Sequence, residues 1–157
     1  IARRRRFYAE KLADNVNTLL GSRGSIELNY KTDTPDSPEE FLKLLHSRKA
    51  SELRRSCTLT GIQLDEFEII FDGKPLRNFG STGQLRLISL LMKLAQFKLF
   101  WQETPAPVAV LADDITGELD EKNLQLFLET ISGADQSFFT FASTIPDALK
   151  ESEIIRF

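Results

Sequence analysis

The stretch Val108-Ala109-Val110-Leu111-Ala112-Asp113-Asp114 decides how this 157-residue chain is read. Five apolar residues in a row fit a short, fully buried strand, and two adjacent carboxylates end it. Burying acids without partners is expensive, so a buried strand that stops on two of them needs a reason. At the carboxyl end of a parallel strand the pair would stand at the crevice where open α/β sheets bind ligands. There Asp113 can face a divalent metal riding on a nucleotide phosphate, and Asp114 can orient or deprotonate a water. The same pair can instead cap a following turn or helix, since acids favour the positive end of the helix dipole.

Upstream, Gly80-Ser81-Thr82-Gly83-Gln84-Leu85-Arg86 opens a long helix that runs to about Trp101. Ser81 suits an N-cap, and glycine leaves the backbone bare so that an anion can reach the first-turn N–H groups. Ordinary capping chemistry accounts for the same residues. The helix carries one apolar stripe of Ile88, Leu91, Met92, Ala95 and Leu99 and a second of Leu87, Leu90, Leu94 and Phe97. Apolar residues nearly all round predict burial on more than one side. Downstream, Thr116-Gly117-Glu118-Leu119-Asp120 reads either as a turn with Asp120 as helix cap or as a loop crossing a dimer interface.

The flanking periodicities predict the remaining elements. Tyr8, Leu12, Val16, Leu19 and Leu20 give a helix over 2–20 with Gly21 as its stop. Ile26, Leu28 and Tyr30 alternate with Glu27, Asn29 and Lys31 as a half-buried strand. Ser37-Pro38-Glu39-Glu40 caps a helix reaching towards Arg55. Asp72-Gly73-Lys74 turns a hairpin between 67–71 and 75–79. A helix over 121–131 and a strand over 137–142 complete a helix–strand–helix–strand order that favours an α/β layer with a parallel sheet.

Composition narrows the function classes. An apolar share of 41% and a charged share of 27% fit a globular protein, and no run of apolar residues is long enough for a membrane span. No signal peptide is visible, and the cytoplasm is the expected compartment. One cysteine, Cys57, and one histidine, His46, argue against an internal disulfide, a multi-cysteine metal site or a Ser-His-Asp triad. Residues 1–57 hold 12 Lys and Arg against 8 Asp and Glu, a balance of +4; residues 58–157 hold 8 against 15, a balance of −7. A basic front on an acidic body permits a polyanion partner. Arg3-Arg4-Arg5-Arg6 is the sharpest basic feature, read as a solvated helix face or as a DNA contact; the DNA-binding residues are otherwise unknown.

Taken in order, the Ser-x-Gly-Gln helix start, the strand ending in an acidic pair and the x-Glu-Leu-Asp loop resemble the carboxyl-terminal half of an ABC-type ATPase head. Within that group, which includes SMC-like heads, the chain most resembles the RecF family of bacterial DNA repair ATPases. The residues carrying this are Asn78-Phe79-Gly80-Ser81-Thr82-Gly83-Gln84-Leu85-Arg86 and Leu111-Ala112-Asp113-Asp114-Ile115-Thr116-Gly117-Glu118-Leu119-Asp120. The resemblance implies a layered P-loop-type α/β fold, with the head's carboxyl-terminal lobe over 58–157 and a helix–strand–helix appendage over 1–57.

The resemblance also implies roles. Ser81, Gly83 and Gln84 would form the signature that contacts the γ-phosphate of ATP held by the opposite subunit. Asp113 would support Mg²⁺, Asp114 would be the catalytic acid that positions water, and Glu118 and Asp120 would form the D-loop. Thr140 and Ser143 are candidates for the switch position. The implied protein is an ATP-dependent homodimer on duplex DNA near single-strand gaps, working with RecR and RecO-like mediators in replication, recombination, repair and the SOS response. Two departures stand out. Gly61-Ile62-Gln63-Leu64-Asp65-Glu66 lies where the family usually has Gly-Pro-His-Arg-Asp-Asp, and Gly117 replaces the D-loop serine.

A P-loop, G-x-x-x-x-G-K-[ST], is missing: the only Gly-Lys pair is Gly73-Lys74, followed by Pro75 and with Glu68 five positions before the glycine. A start at Ile1 rather than Met adds the expectation that the motif precedes this chain in a longer protein, and that the chain alone does not hydrolyse ATP. A non-catalytic DNA- or protein-interaction module and the carboxyl lobe of another SMC-like head remain as alternatives.

Overall fold

Alanine stands at the places where the first helix needs to approach its sheet closely. The computed structural model describes residues 1–103, 106–113, 119–141, 145–150 and 153. In chain order they form α1 (Ala2–Leu20), β1 (Ile26–Lys31), α2 (Pro38–Arg55), β2 (Glu66–Phe71), β3 (Lys74–Pro75), α3 (Leu76–Phe79), α4 (Thr82–Glu103), β4 (Ala109–Ala112), α5 (Glu121–Ile131) and β5 (Gln136–Phe139). They fall into two compact units, Ile1–Ala95 and Gln96–Phe157. No helix among the described residues is long and apolar enough to cross a membrane.

In the first unit Ala2, Ala9, Ala13, Val16 and Leu20 form the buried stripe of α1, which packs on β1. Full burial of Val16 and Leu20 contributes about 1.5–3 kcal/mol each. Asn17 joins helix to strand: its side-chain oxygen accepts the Ile26 N–H at 2.7 Å and its nitrogen donates to the Ile26 carbonyl at 3.0 Å. β1 pairs antiparallel with β2 from Ile26 opposite Phe71 to Lys31 opposite Glu66, and β3 adds to the far edge of β2.

Asp72 and Gly73 turn the hairpin with φ of 47° and 77°, the positive values a two-residue I′ turn requires. The expected second arm over 75–79 is shorter in the structure. Only Lys74 and Pro75 pair; Pro75 has no N–H to extend the ladder, and Leu76 then buries itself at the start of a helical turn.

The segment 61–66 owes its shape to one carboxylate. Asp65, with its side chain 2% exposed, accepts hydrogen bonds from Thr32 Oγ1 at 2.6 Å, from the Tyr30 hydroxyl and from Arg5 Nη1 at 3.0 Å. The same Arg5 nitrogen donates to the Ile62 carbonyl at 2.6 Å. Desolvation pushes the Asp65 pKa up, but the bonds from Thr32 and Tyr30 and the charge of Arg5 outweigh it and hold the carboxyl below its ordinary range. Arg6 pairs with Asp36 at 3.2 Å, so Arg5 and Arg6 are both engaged within the fold.

In the second unit β4 and β5 pair in parallel, from Ala109 opposite Gln136 to Ala112 opposite Phe139, with α5 between them in sequence. Asp135 fastens the start of this pair, accepting the Val108 N–H at 2.8 Å while its own N–H donates to the Val108 carbonyl at 3.1 Å. α5 turns Phe127 and Ile131 inward, and Phe127 meets Phe139 edge-on at 6.3 Å.

Two burial expectations are corrected. β4 is not fully buried: Leu111 is 79% exposed, because β5 is its one paired neighbour among the described residues and covers an edge, not a face. The buried residues of α4, namely Ile88, Leu91, Leu94 and Ala95, share one broad face, while Leu85 and Phe100 are exposed. Apolar periodicity shows which residues can be covered, not which of them meet a neighbour.

Candidate functional site

The Ser-x-Gly-Gln start closes into a reciprocal capping box. The Ser81 hydroxyl accepts the Gln84 N–H at 3.2 Å, and the Gln84 side-chain oxygen accepts the Ser81 N–H at 2.8 Å. The Leu85 N–H donates to the Ser81 carbonyl at 2.9 Å, beginning the helical ladder of α4. Ser81, Thr82 and Gly83 are exposed at the amino end of this 22-residue helix. Beside them lies a cleft of about 210 Å³ whose lining includes Asp72, Lys74, Phe79 and Gln84. The dipole end of α4 and the ammonium of Lys74 favour an anion here, and the Asp72 carboxylate in the same lining opposes it.

The two glycines of this segment answer to different demands. A Cβ on Gly80 would lie 2.6 Å from the Leu76 carbonyl oxygen and 2.7 Å from Leu76 Cδ1, so packing alone requires glycine there. A Cβ on Gly83 would meet nothing nearer than the Ser81 hydroxyl at 4.0 Å. Glycine inside a helix costs about 0.5–1 kcal/mol relative to alanine, and nothing in the packing around Gly83 asks for it.

Asp113 follows directly on β4 and is exposed. Its carboxylate accepts a hydrogen bond from the Thr140 hydroxyl, and the Thr140 N–H donates to the Ala112 carbonyl at 3.0 Å. Parallel pairing thus sets the last residues of β4 beside the end of β5, and Thr140 orients the acid. One carboxylate with free lone pairs suits Mg²⁺, which commonly uses one or two carboxylates, substrate phosphates and waters. Asp113 could therefore contribute one ligand to such an ion; no three-residue metal cluster occurs among the described residues. Asp120 caps α5, accepting the Asn123 N–H at 2.8 Å. Asp114, Glu118 and Ser143 lie outside the described residues.

No local sequence pattern marks Asp65. Its partners are separated from it in sequence by 33 residues at the least and 60 at the most; pairing of β1 with β2 brings Tyr30 and Thr32 to it, and Arg5 reaches it from α1.

The chain is 33% identical over 126 residues to the DNA replication and repair protein RecF of Leptospira interrogans, covering 80% of this chain and 34% of that protein. It is 35% identical over 116 residues to the protein of the same name from Acetivibrio thermocellus, covering 74% and 31%. With that of Deinococcus radiodurans it shares 30% identity over 139 residues, covering 88% and 38%. The chain thus spans about a third of the length of these curated relatives. No protein-family model matches it. Two solved structures, described as the recombination mediator protein RecF-ATP and RecF-ATPrS in the RecFOR pathway, share its fold with TM-scores of 0.74 and 0.75 at 23% and 24% identity. They cover 90% and 91% of this chain and 41% and 42% of their own. The mixed α/β architecture is that of those structures, and the chain is RecF-like, matching a carboxyl-terminal part of such a protein.

Proposed function

We propose that this chain is the carboxyl-terminal part of an ATP-dependent DNA repair and recombination protein of RecF type. The observation that carries the reading is the amino end of α4, a Ser-Thr-Gly-Gln turn with Ser81, Thr82 and Gly83 exposed, whose Gly83 has no packing reason to be glycine. The first-turn N–H groups of Thr82 and Gly83, outside the Ser81–Gln84 box, and the helix dipole suit the terminal phosphate of a nucleotide held by a second head. Asp113, oriented by Thr140, would hold Mg²⁺, which neutralises phosphate charge when bound. Asp114 would position the attacking water, and Glu118 and Asp120 would act across the paired heads as the D-loop. In this reading residues 58–157 belong to the head lobe, and the helix–strand–helix front over 1–57 contributes β1 to the sheet with β2. Pairing of two heads around ATP would close the protein on duplex DNA near single-strand gaps, with RecR and RecO-like proteins as partners.

The two glycines test it. In the full-length protein Gly83→Ala is expected to keep or raise thermal stability, by up to about 1 kcal/mol, while ATP-driven pairing of heads falls. Gly80→Ala is expected to lose about 1–3 kcal/mol through the clash with Leu76. Scanning calorimetry together with sedimentation in the presence of ATP reads both. ATP-driven pairing that survives Gly83→Ala unchanged would move the reading to a non-catalytic interaction module, in which the Ser81–Gln84 box only caps a helix.

A further inference from the structure

The hairpin tip over 72–74 sets a cation beside the start of α4. Lys74 stands opposite Phe71 in the pairing of β2 with β3, directly after the left-handed pair Asp72 and Gly73. The tip is fastened to the start of β1: Asp72 Oδ1 accepts the Ser25 N–H at 2.9 Å, and the Asp72 N–H donates to the Ser25 carbonyl at 3.0 Å. Buried Leu76, packed against Gly80, then brings the chain round so that Lys74 and Gln84 line one cleft. Phe79, 68% exposed, forms part of the same wall.

Lys74 is exposed and makes no ion pair among the described residues, whereas Lys31 of the same sheet is held by Glu68 at 2.8 Å. An edge lysine can serve only to deter strand pairing, but β3 is two residues long and ends on Pro75, so little edge is left to guard. Arg77, the next cation in the chain, is also exposed but lies outside the cleft lining. The Asp72 carboxylate offsets Lys74 at a distance, so the lysine acts on an anion that it touches and adds little long-range attraction.

We infer that Lys74 is a further nucleotide-contacting residue, whose ammonium meets the terminal phosphate of the ATP that a second head presents to the Ser81–Gln84 turn. The inference rests on the nucleotide reading of that turn and adds a charge that Ser81, Gly83 and Gln84 do not carry. An ammonium on a flexible stem is a point charge able to follow a phosphate that arrives only when heads pair. Once a second head covers exposed Phe79 the cleft loses water, and a charge-assisted hydrogen bond in it strengthens. The reading places each head's own nucleotide on a P-loop elsewhere, so Lys74 bears on pairing and not on the first binding of ATP.

Sedimentation of the full-length protein over a series of ATP concentrations, with the variants K74Q, K74R and R77Q, tests it. K74Q is expected to need about tenfold more ATP for half-maximal pairing, the loss of one charge-assisted hydrogen bond, while K74R and R77Q stay near wild type. Binding of a fluorescent ATP analogue by unpaired heads, and the thermal midpoint, should be the same in K74Q as in wild type, since the side chain is exposed. Pairing of K74Q at wild-type ATP concentrations would overturn the inference, and loss of pairing in Gly83→Ala would then show that the nucleotide reading still stands. K74R as weak as K74Q would overturn it by assigning the effect to the packing of the lysine stem. R77Q as weak as K74Q would overturn it by assigning the effect to net charge. Absence of ATP-driven pairing in the wild type, or its survival in Gly83→Ala, would remove the reading and the inference together.

Discussion

Replacing Asp114 by Asn in the full-length protein is expected to lower ATP turnover by about 100-fold or more while nucleotide still binds. Positioned general-base or water-orienting groups contribute about 10²–10⁴ to rate, and asparagine keeps the shape of aspartate without its charge. The expectation rests on the proposed reading of the sequence after β4: Asp113 accepts from Thr140, and Asp114, the next carboxylate in the sequence, is the residue proposed to position the water. Turnover with and without DNA separates the outcomes. DNA-stimulated hydrolysis that disappears in Asp114→Asn places the catalytic acid. Hydrolysis that persists would make the acidic pair structural, and no turnover by the wild type would favour an interaction module.

Asp65→Asn is expected to destabilise the fold markedly. The substitution removes the charge that Arg5 faces and leaves an amide where Tyr30, Thr32 and Arg5 all present donors. Losing hydrogen bonds of a charged acceptor in a buried place costs about 2–4 kcal/mol in all, discounted for the partial exposure of Arg5. The pH dependence has a fixed sign. The folded-state pKa of Asp65 is depressed, so its contribution is complete above the unfolded value near 4 and is lost as pH falls through the lower folded value. Urea unfolding from neutral pH into the acid range should show wild-type stability falling below about pH 4. The variant, less stable throughout, should have a flatter acid limb. An equally steep limb in Asp65→Asn would mean that another carboxylate governs acid unfolding.

The elements that were legible in the sequence are those whose cause is local. α1 stops at Leu20 before Gly21, Ser37 and Pro38 open α2, and Asp120 caps α5, because caps and helical stripes depend on neighbours within a turn or two. The parallel pairing of β4 and β5 followed from the helix between them, since a two-residue turn cannot join parallel strands. The second hairpin arm misled because the Asp72-Gly73-Lys74 turn signal implies an arm on each side, yet the missing N–H of Pro75 and burial of Leu76 turn 76–79 into helix.

Burial and pairing belonged to the tertiary structure. A run of five apolar residues could not reveal that Leu111 would stand 79% exposed, because coverage depends on which strands and helices arrive from elsewhere. Four consecutive arginines looked like one basic patch, but folding gave Arg5 to Asp65 and Arg6 to Asp36, while the cations of α2, less conspicuous in the sequence, were left unpaired among the described residues. By itself the sequence determined where the long helices begin and end and which residue types could meet a phosphate. Only the tertiary structure decided which charges are neutralised inside the fold, because ion pairing and desolvation depend on distance in space between residues as many as 60 positions apart.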